Sequence, residues 1–169
     1  MAATPTASTS NTAQSIQPIF TRIEQCTDHD CGFASIATIV GKSLSEVMQV
    51  AIEKFGHPAN GPYAYMDEEL FAKIFAHFGF VSTVYKPMSK GLVDLPDVAI
   101  ALVDYSEEME IGRHVVFVRD QRNQKAITSF VIDPAYWVDK SLHIRNDFAN
   151  LKPAWFIGIH PMAAKVSKK

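Results

Sequence analysis

Apolar and small residues run without a single charge from Cys31 to Gly41, in the string CGFASIATIVG. A helix with no polar stripe belongs inside a protein, so this segment predicts a buried central helix that Gly41 terminates. The pattern then becomes amphipathic. Ser43 and Glu46 form an S-x-x-E capping box, which opens a second helix from Leu44 to about Lys54, ending before Gly56. The stretch Gly56 to Tyr65, GHPANGPYAY, carries two Gly and two Pro and predicts a loop. From Asp67 to His77 polar and apolar residues recur with helical period, and Gly79 closes a third helix.

Beyond Gly79 the pattern changes. Phe80 to Tyr85, Val98 to Asp104, His114 to Arg119, Ala126 to Ile132 and Ala154 to His160 are rich in Val, Ile and aromatic residues, the composition of strands. Helices first and an antiparallel sheet second give an α+β fold in one domain, residues 18–163.

Composition narrows the picture further. The chain has 169 residues, of which 47 % are hydrophobic and 20 % charged, with a formal net charge of -2 and a pI near 6.3. Those values suit one soluble domain and supply no basic field for nucleic acid or an anionic membrane. No apolar run is long enough to span a bilayer. Residues 1–17 are Ala/Ser/Thr-rich and uncharged, without the basic start and apolar stretch of a secretory signal, and read as a disordered tail on a cytoplasmic protein. Residues 164–169 read as a short basic tail. The two cysteines, Cys26 and Cys31, are too few for a disulfide framework, which fits a reducing compartment.

The candidate chemistry centres on Cys31. It stands where the polar run TDHD gives way to the apolar helix. The free N–H groups and dipole of a helix N-terminus favour a thiolate, and small Gly32 and Ala34 leave room beside it. A lone cysteine is equally a small buried hydrophobe, so a base is needed. In RHVVFV, period-two alternation puts His114, Val116 and Val118 on one face. The chain then turns through DQRNQK and returns as AITSFVID, ending at Asp133. A symmetric hairpin centred between Asn123 and Gln124 sets Asp133 opposite His114, with Cβ atoms ~5 Å apart. There a carboxylate would orient the imidazole and stabilise its protonated form. This expectation depends on register, since a slip of one residue changes the face. Gln25, six residues before Cys31, offers an amide donor for the oxygen that becomes negative in acyl transfer, alongside the Cys31 N–H.

The run QCTDHDCGFASIATI from Gln25, followed by HVVFV from His114 and VIDPA through Asp133 to Ala135, resembles the signature of the double-glycine leader peptidases. These are papain-like domains found on bacteriocin-exporting ABC transporters and as free-standing relatives. The resemblance spans roughly Ile19 to His160. It implies a papain-like fold whose helical half carries the nucleophile, packed on an antiparallel sheet carrying His and Asp. It further implies a cysteine peptidase with Cys31, His114 and Asp133 as triad and Gln25 at the oxyanion site, cleaving a peptide or protein substrate after a small residue, often glycine. No cofactor is expected. Nucleic acid and membrane are not expected partners, and the oligomeric state stays open.

Three rival readings accompany this one. Cys26, His29 and Cys31 have C-x2-H-x-C spacing, which suits zinc but lacks a fourth ligand. A papain-like module could hold a peptide in its cleft without cutting it. A thiol acyl-enzyme could also pass its acyl group to an amine or act as a deamidase rather than a peptidase. Tyr63, Tyr65, Trp137 and Trp155 are candidate cleft walls, with Gly56 to Tyr65 as a mobile aromatic side.

Overall fold

The computed structural model describes residues 18–60, 66–123 and 125–163. The two expected tails, and residues 61–65 of the Gly56 to Tyr65 loop, lie outside the described residues.

Helix α1, Cys31–Val40, is buried from Cys31 through Ile39, as its unbroken apolar pattern requires. Gly41 ends it in the left-handed region at φ 69°, where its N–H reaches the Ala37 carbonyl. Helix α2, Leu44–Phe55, opens on the Ser43/Glu46 capping box with both reciprocal bonds formed. Helix α3, Glu68–His77, starts where the Asp67 carboxylate accepts the Leu70 N–H at 2.8 Å.

The strands are β1 (Phe80–Ser82), β2 (Lys86–Pro87), β3 (Val98–Ser106), β4 (Ile111–Asp120), β5 (Thr128–Ile132), β6 (Ile144–Arg145) and β7 (Trp155–Pro161). They form a sheet in the order β1-β7-β3-β4-β5-β6, with β2 also on β7, and each described pairing is antiparallel. The two-residue strands β2 and β6 are too short to carry a period-two pattern, which is why the sequence does not announce them.

Alternation along the central strands divides the interior into two cores. Val116 and Val118 of β4, with Phe130 and Ile132 of β5, pack against the three helices. Val115, Phe117 and Val131 point to the opposite face and meet Leu95, Phe148 and Leu151 from the connecting segments. Burying both faces keeps the central strands rigid, and α1 is pinned directly across β4. Among the described residues no helix is long and apolar enough to cross a membrane.

Candidate active site

Cys31 is the first residue of α1 and His114 lies on the helix-facing side of β4. Packing the helix on the strand brings the two together: Sγ lies 3.4 Å from His114 Nδ1. The His114 backbone N–H also donates to Sγ at 3.3 Å. Gly32 makes this approach possible. A Cβ there would sit 2.8 Å from Met66 Sδ, 3.2 Å from Phe71 Cζ and 3.5 Å from His114 Nδ1. The space expected for substrate beside Gly32 is therefore filled in part by the residues that seat the imidazole.

Cys31 is buried and His114 partly so. Cys31 is 6 % exposed, and burial pushes its thiol up; the N–H groups of His114 and Gly32 work against that rise, and the Asp30 carboxylate adds to it. Burial is the largest influence on the thiol and opposes the thiolate expected at the helix start. Burial pushes His114 down to about 4. Both shifts disfavour charge, so at neutral pH the resting pair is a thiol beside a neutral imidazole able to accept its proton. Asp30, also buried, holds the preceding loop by accepting the N–H groups of Cys26 and Thr27, each at 3.1 Å.

Asp133 is not brought to His114. Its side chain is fully buried and accepts Arg113 Nη1 on both oxygens, at 2.7 and 2.6 Å, and the Ala135 N–H at 3.0 Å. The reason is register. Strand β4 pairs with β5 as Val116↔Ile132 and Asp120↔Thr128, one residue away from the symmetric hairpin expected. Continued, that register puts Asp133 across from Val115, on the face that Arg113 shares and His114 does not. The segment after β5 has a different task. Arg22 donates to the carbonyls of Asp133 and Ala135, and the Gln25 N–H to that of Pro134. Asp133 thus anchors the strap that leads into Cys31.

Gln25 is 2 % exposed. Its Nε2 donates to the Thr27 carbonyl at 2.7 Å, and its Oε1 is buried without a hydrogen-bond partner among the described residues. It is not among the residues that line the cleft over Cys31.

The imidazole's other nitrogen meets a residue the sequence did not single out. Tyr85, in the segment between β1 and β2, places Oη 2.6 Å from His114 Nε2. No motif marks a tyrosine in a strand-like stretch, and only the fold shows that it crosses the β4 histidine.

A cleft of about 1140 Å³ opens above the pair. Cys31, Gly32, Tyr85 and His114 line it, Leu102, Ile111, Trp137 and Trp155 give it apolar walls, and Asp28, Asp67, Glu68 and Glu110 contribute acidic groups. Trp137 and Trp155 are thus cleft residues as expected, whereas Tyr63 and Tyr65 lie outside the described residues. Among the described residues, no group of three His, Cys, Asp or Glu side chains converges to hold a metal ion; Cys26 is exposed while Cys31 is buried.

No family model and no curated protein matches the chain. Among solved structures, the chain is similar to the peptidase domain of Streptococcus ComA, described as a bi-functional ABC transporter involved in a quorum-sensing pathway. That match has a TM-score of 0.55 at 16 % sequence identity and covers 83 % of this chain and 97 % of that one. At this identity the likeness speaks to architecture: the chain has the α+β fold of a peptidase domain.

Proposed function

We propose that the protein is a cysteine peptidase that hydrolyses a peptide bond through a thiol acyl-enzyme on Cys31. The observation that carries this reading is the Sγ–Nδ1 distance of 3.4 Å at the floor of a large, apolar-walled cleft. A nucleophile touching a base that is neutral at pH 7 is the minimum apparatus of acyl transfer. As sulfur attacks the substrate carbonyl, the thiol proton passes to Nδ1. When the tetrahedral intermediate collapses, Nδ1 returns that proton to the leaving amine. Water then attacks the thioester with His114 again as base, releasing the acid and restoring the thiol.

The oxyanion that forms in each half-reaction needs donors. In this reading the Cys31 N–H at the start of α1 is one, and Gln25 becomes the other when its side chain, which does not line the cleft at rest, turns the amide hydrogen that Thr27 does not take toward the substrate. The substrate is an extended peptide or protein segment with a small residue before the scissile bond. The Trp137 and Trp155 rings line the cleft and offer apolar surface to such a segment.

A second reading is a peptide-binding module that does not cleave. What favours it is that the Gln25 amide is bonded to its own loop and Asp133 is bonded to Arg113. A peptide library varied at the position before the scissile bond separates the two. Cleavage after Gly or Ala is the expected result, with Gln25→Ala slowing it about 10²-fold. Efficient cleavage after large residues would overturn the specificity. Tight binding with no cleavage would establish the module.

A further inference from the structure

We propose that Tyr85 is the residue that orients His114, taking the position that the sequence pattern reserves for a carboxylate. The inference rests on the reading of Cys31 and His114 as the reacting pair.

For Nδ1 to take a proton from Cys31, it must present its lone pair to sulfur. A neutral imidazole carries only one ring proton, so that proton must sit on Nε2. The atom facing Nε2 must then accept a hydrogen bond, a role that a phenol oxygen can take as readily as donating one. In this structure that atom is Tyr85 Oη, at 2.6 Å. A phenol oxygen accepts the Nε2–H while its own hydrogen turns elsewhere, and it keeps accepting once Nδ1 is protonated. No proton is transferred to or from the tyrosine. The Cys31 proton moves to Nδ1 and back, and the Nε2–H···Oη bond persists throughout.

The tyrosine is well fixed for this task. Its ring stands edge-on to Phe71 of α3, with centroids 6.3 Å apart, and Phe71 in turn packs on the His114 ring at 5.2 Å. Its backbone N–H is held by Glu68 at the start of α3, at 2.9 Å. Around the imidazole, α1 contributes Cys31, the β1–β2 segment contributes Tyr85, α3 contributes the apolar Phe71, and β3 contributes Leu102 opposite His114 in register. Asp133, the carboxylate expected in this role, is on the other face of the sheet with Arg113.

A neutral oxygen stabilises an imidazolium less than a carboxylate does. The site accordingly relies on proton transfer concerted with attack rather than on a standing ion pair, in keeping with a resting thiol and a neutral imidazole.

The test uses nitrogen NMR of the full chain with labelled histidine, beside the pH profile of Cys31 alkylation by iodoacetamide. The wild-type protein should show His114 as the Nε2-protonated tautomer, with that proton protected from exchange. Tyr85→Phe keeps the ring contacts, so it should stay folded with a melting temperature lowered by only a few degrees. It should lose the protected Nε2 proton, mix the two tautomers, and lower the Cys31 alkylation rate about 10-fold, within the range of a single proton-handling effect. A wild-type His114 protonated on Nδ1, or a Tyr85→Phe spectrum and profile equal to wild type, would overturn the assignment. The tautomer is read from the wild-type spectrum even if the variant fails to fold. A Cys31 that is unreactive in the wild type would instead count against the peptidase reading, and leaves the NMR result standing by itself.

Discussion

Replacing His114 with alanine is expected to lower peptide cleavage by about 10²–10⁴-fold, the usual worth of a positioned base, while the protein stays folded. The size of the effect follows from the resting state of the pair. Burial pushes the Cys31 thiol up, so without Nδ1 at 3.4 Å the sulfur has no acceptor for its proton when it attacks. Raising the pH should recover part of the lost rate in His114→Ala, since solvent hydroxide then ionises the thiol. The other histidines at positions 29, 57, 77, 143 and 160 should be replaceable with most activity kept. Steady-state kinetics on a fluorogenic peptide, with circular dichroism to confirm folding, checks this. A His114→Ala variant with wild-type turnover would remove the histidine from the chemistry.

Asp133→Ala should cost about 3 kcal/mol of stability, toward the lower end of what breaking a buried ion pair costs. The carboxylate is fully buried and accepts three hydrogen bonds, two of them from Arg113. Its loss strips the guanidinium of its buried partner, although Asp104 still accepts Arg113 Nε at 2.7 Å, which holds the cost down. A few kcal/mol is a large share of the stability of a domain this size. Asp133→Asn should cost less, because the amide oxygen can still accept the Ala135 N–H. Urea denaturation gives the stability, and the alkylation rate of Cys31 in the folded protein gives the site. The expected pattern is a lowered unfolding midpoint with thiol reactivity within a few-fold of wild type. Unchanged stability with collapsed reactivity would return Asp133 to the role of a triad member.

The contrast between these two residues shows what the sequence carries and where it stops. Hydrophobic period places all three helices and the long strands, because burial on one face or on both is written directly into residue order. The Ser43 cap is legible for the same reason: the donors it satisfies are local. Cys31 and His114 stand out in the sequence because each sits at a position that local pattern defines, a helix start and a face of a strand, and the fold brings them together. Asp133 depends on a hairpin register, which the turn sets. Strands β4 and β5 pair Asp120 with Thr128, which puts the hairpin's midpoint half a residue from the one expected between 123 and 124. That half-residue moves the carboxylate to the other side of the sheet. Tyr85 was invisible because its contact with His114 joins segments 29 residues apart, which nothing in local periodicity couples. Gln25 is legible as a buried amide before the nucleophile only through the family-like motif, since a glutamine in a loop has no pattern of its own.

Competition between the two thiols for limiting iodoacetamide near neutral pH, read by mass spectrometry, tests the central claim most directly. Exposure alone gives the opposite order from catalysis, because Cys26 is exposed and Cys31 is buried. If Nδ1 takes the proton as sulfur attacks, Cys31 is modified first, and His114→Ala reverses the order. Faster labelling of Cys26 in the wild-type protein, with Cys31 protected until the chain unfolds, would make Cys31 an ordinary core thiol and contradict its assignment as the nucleophile.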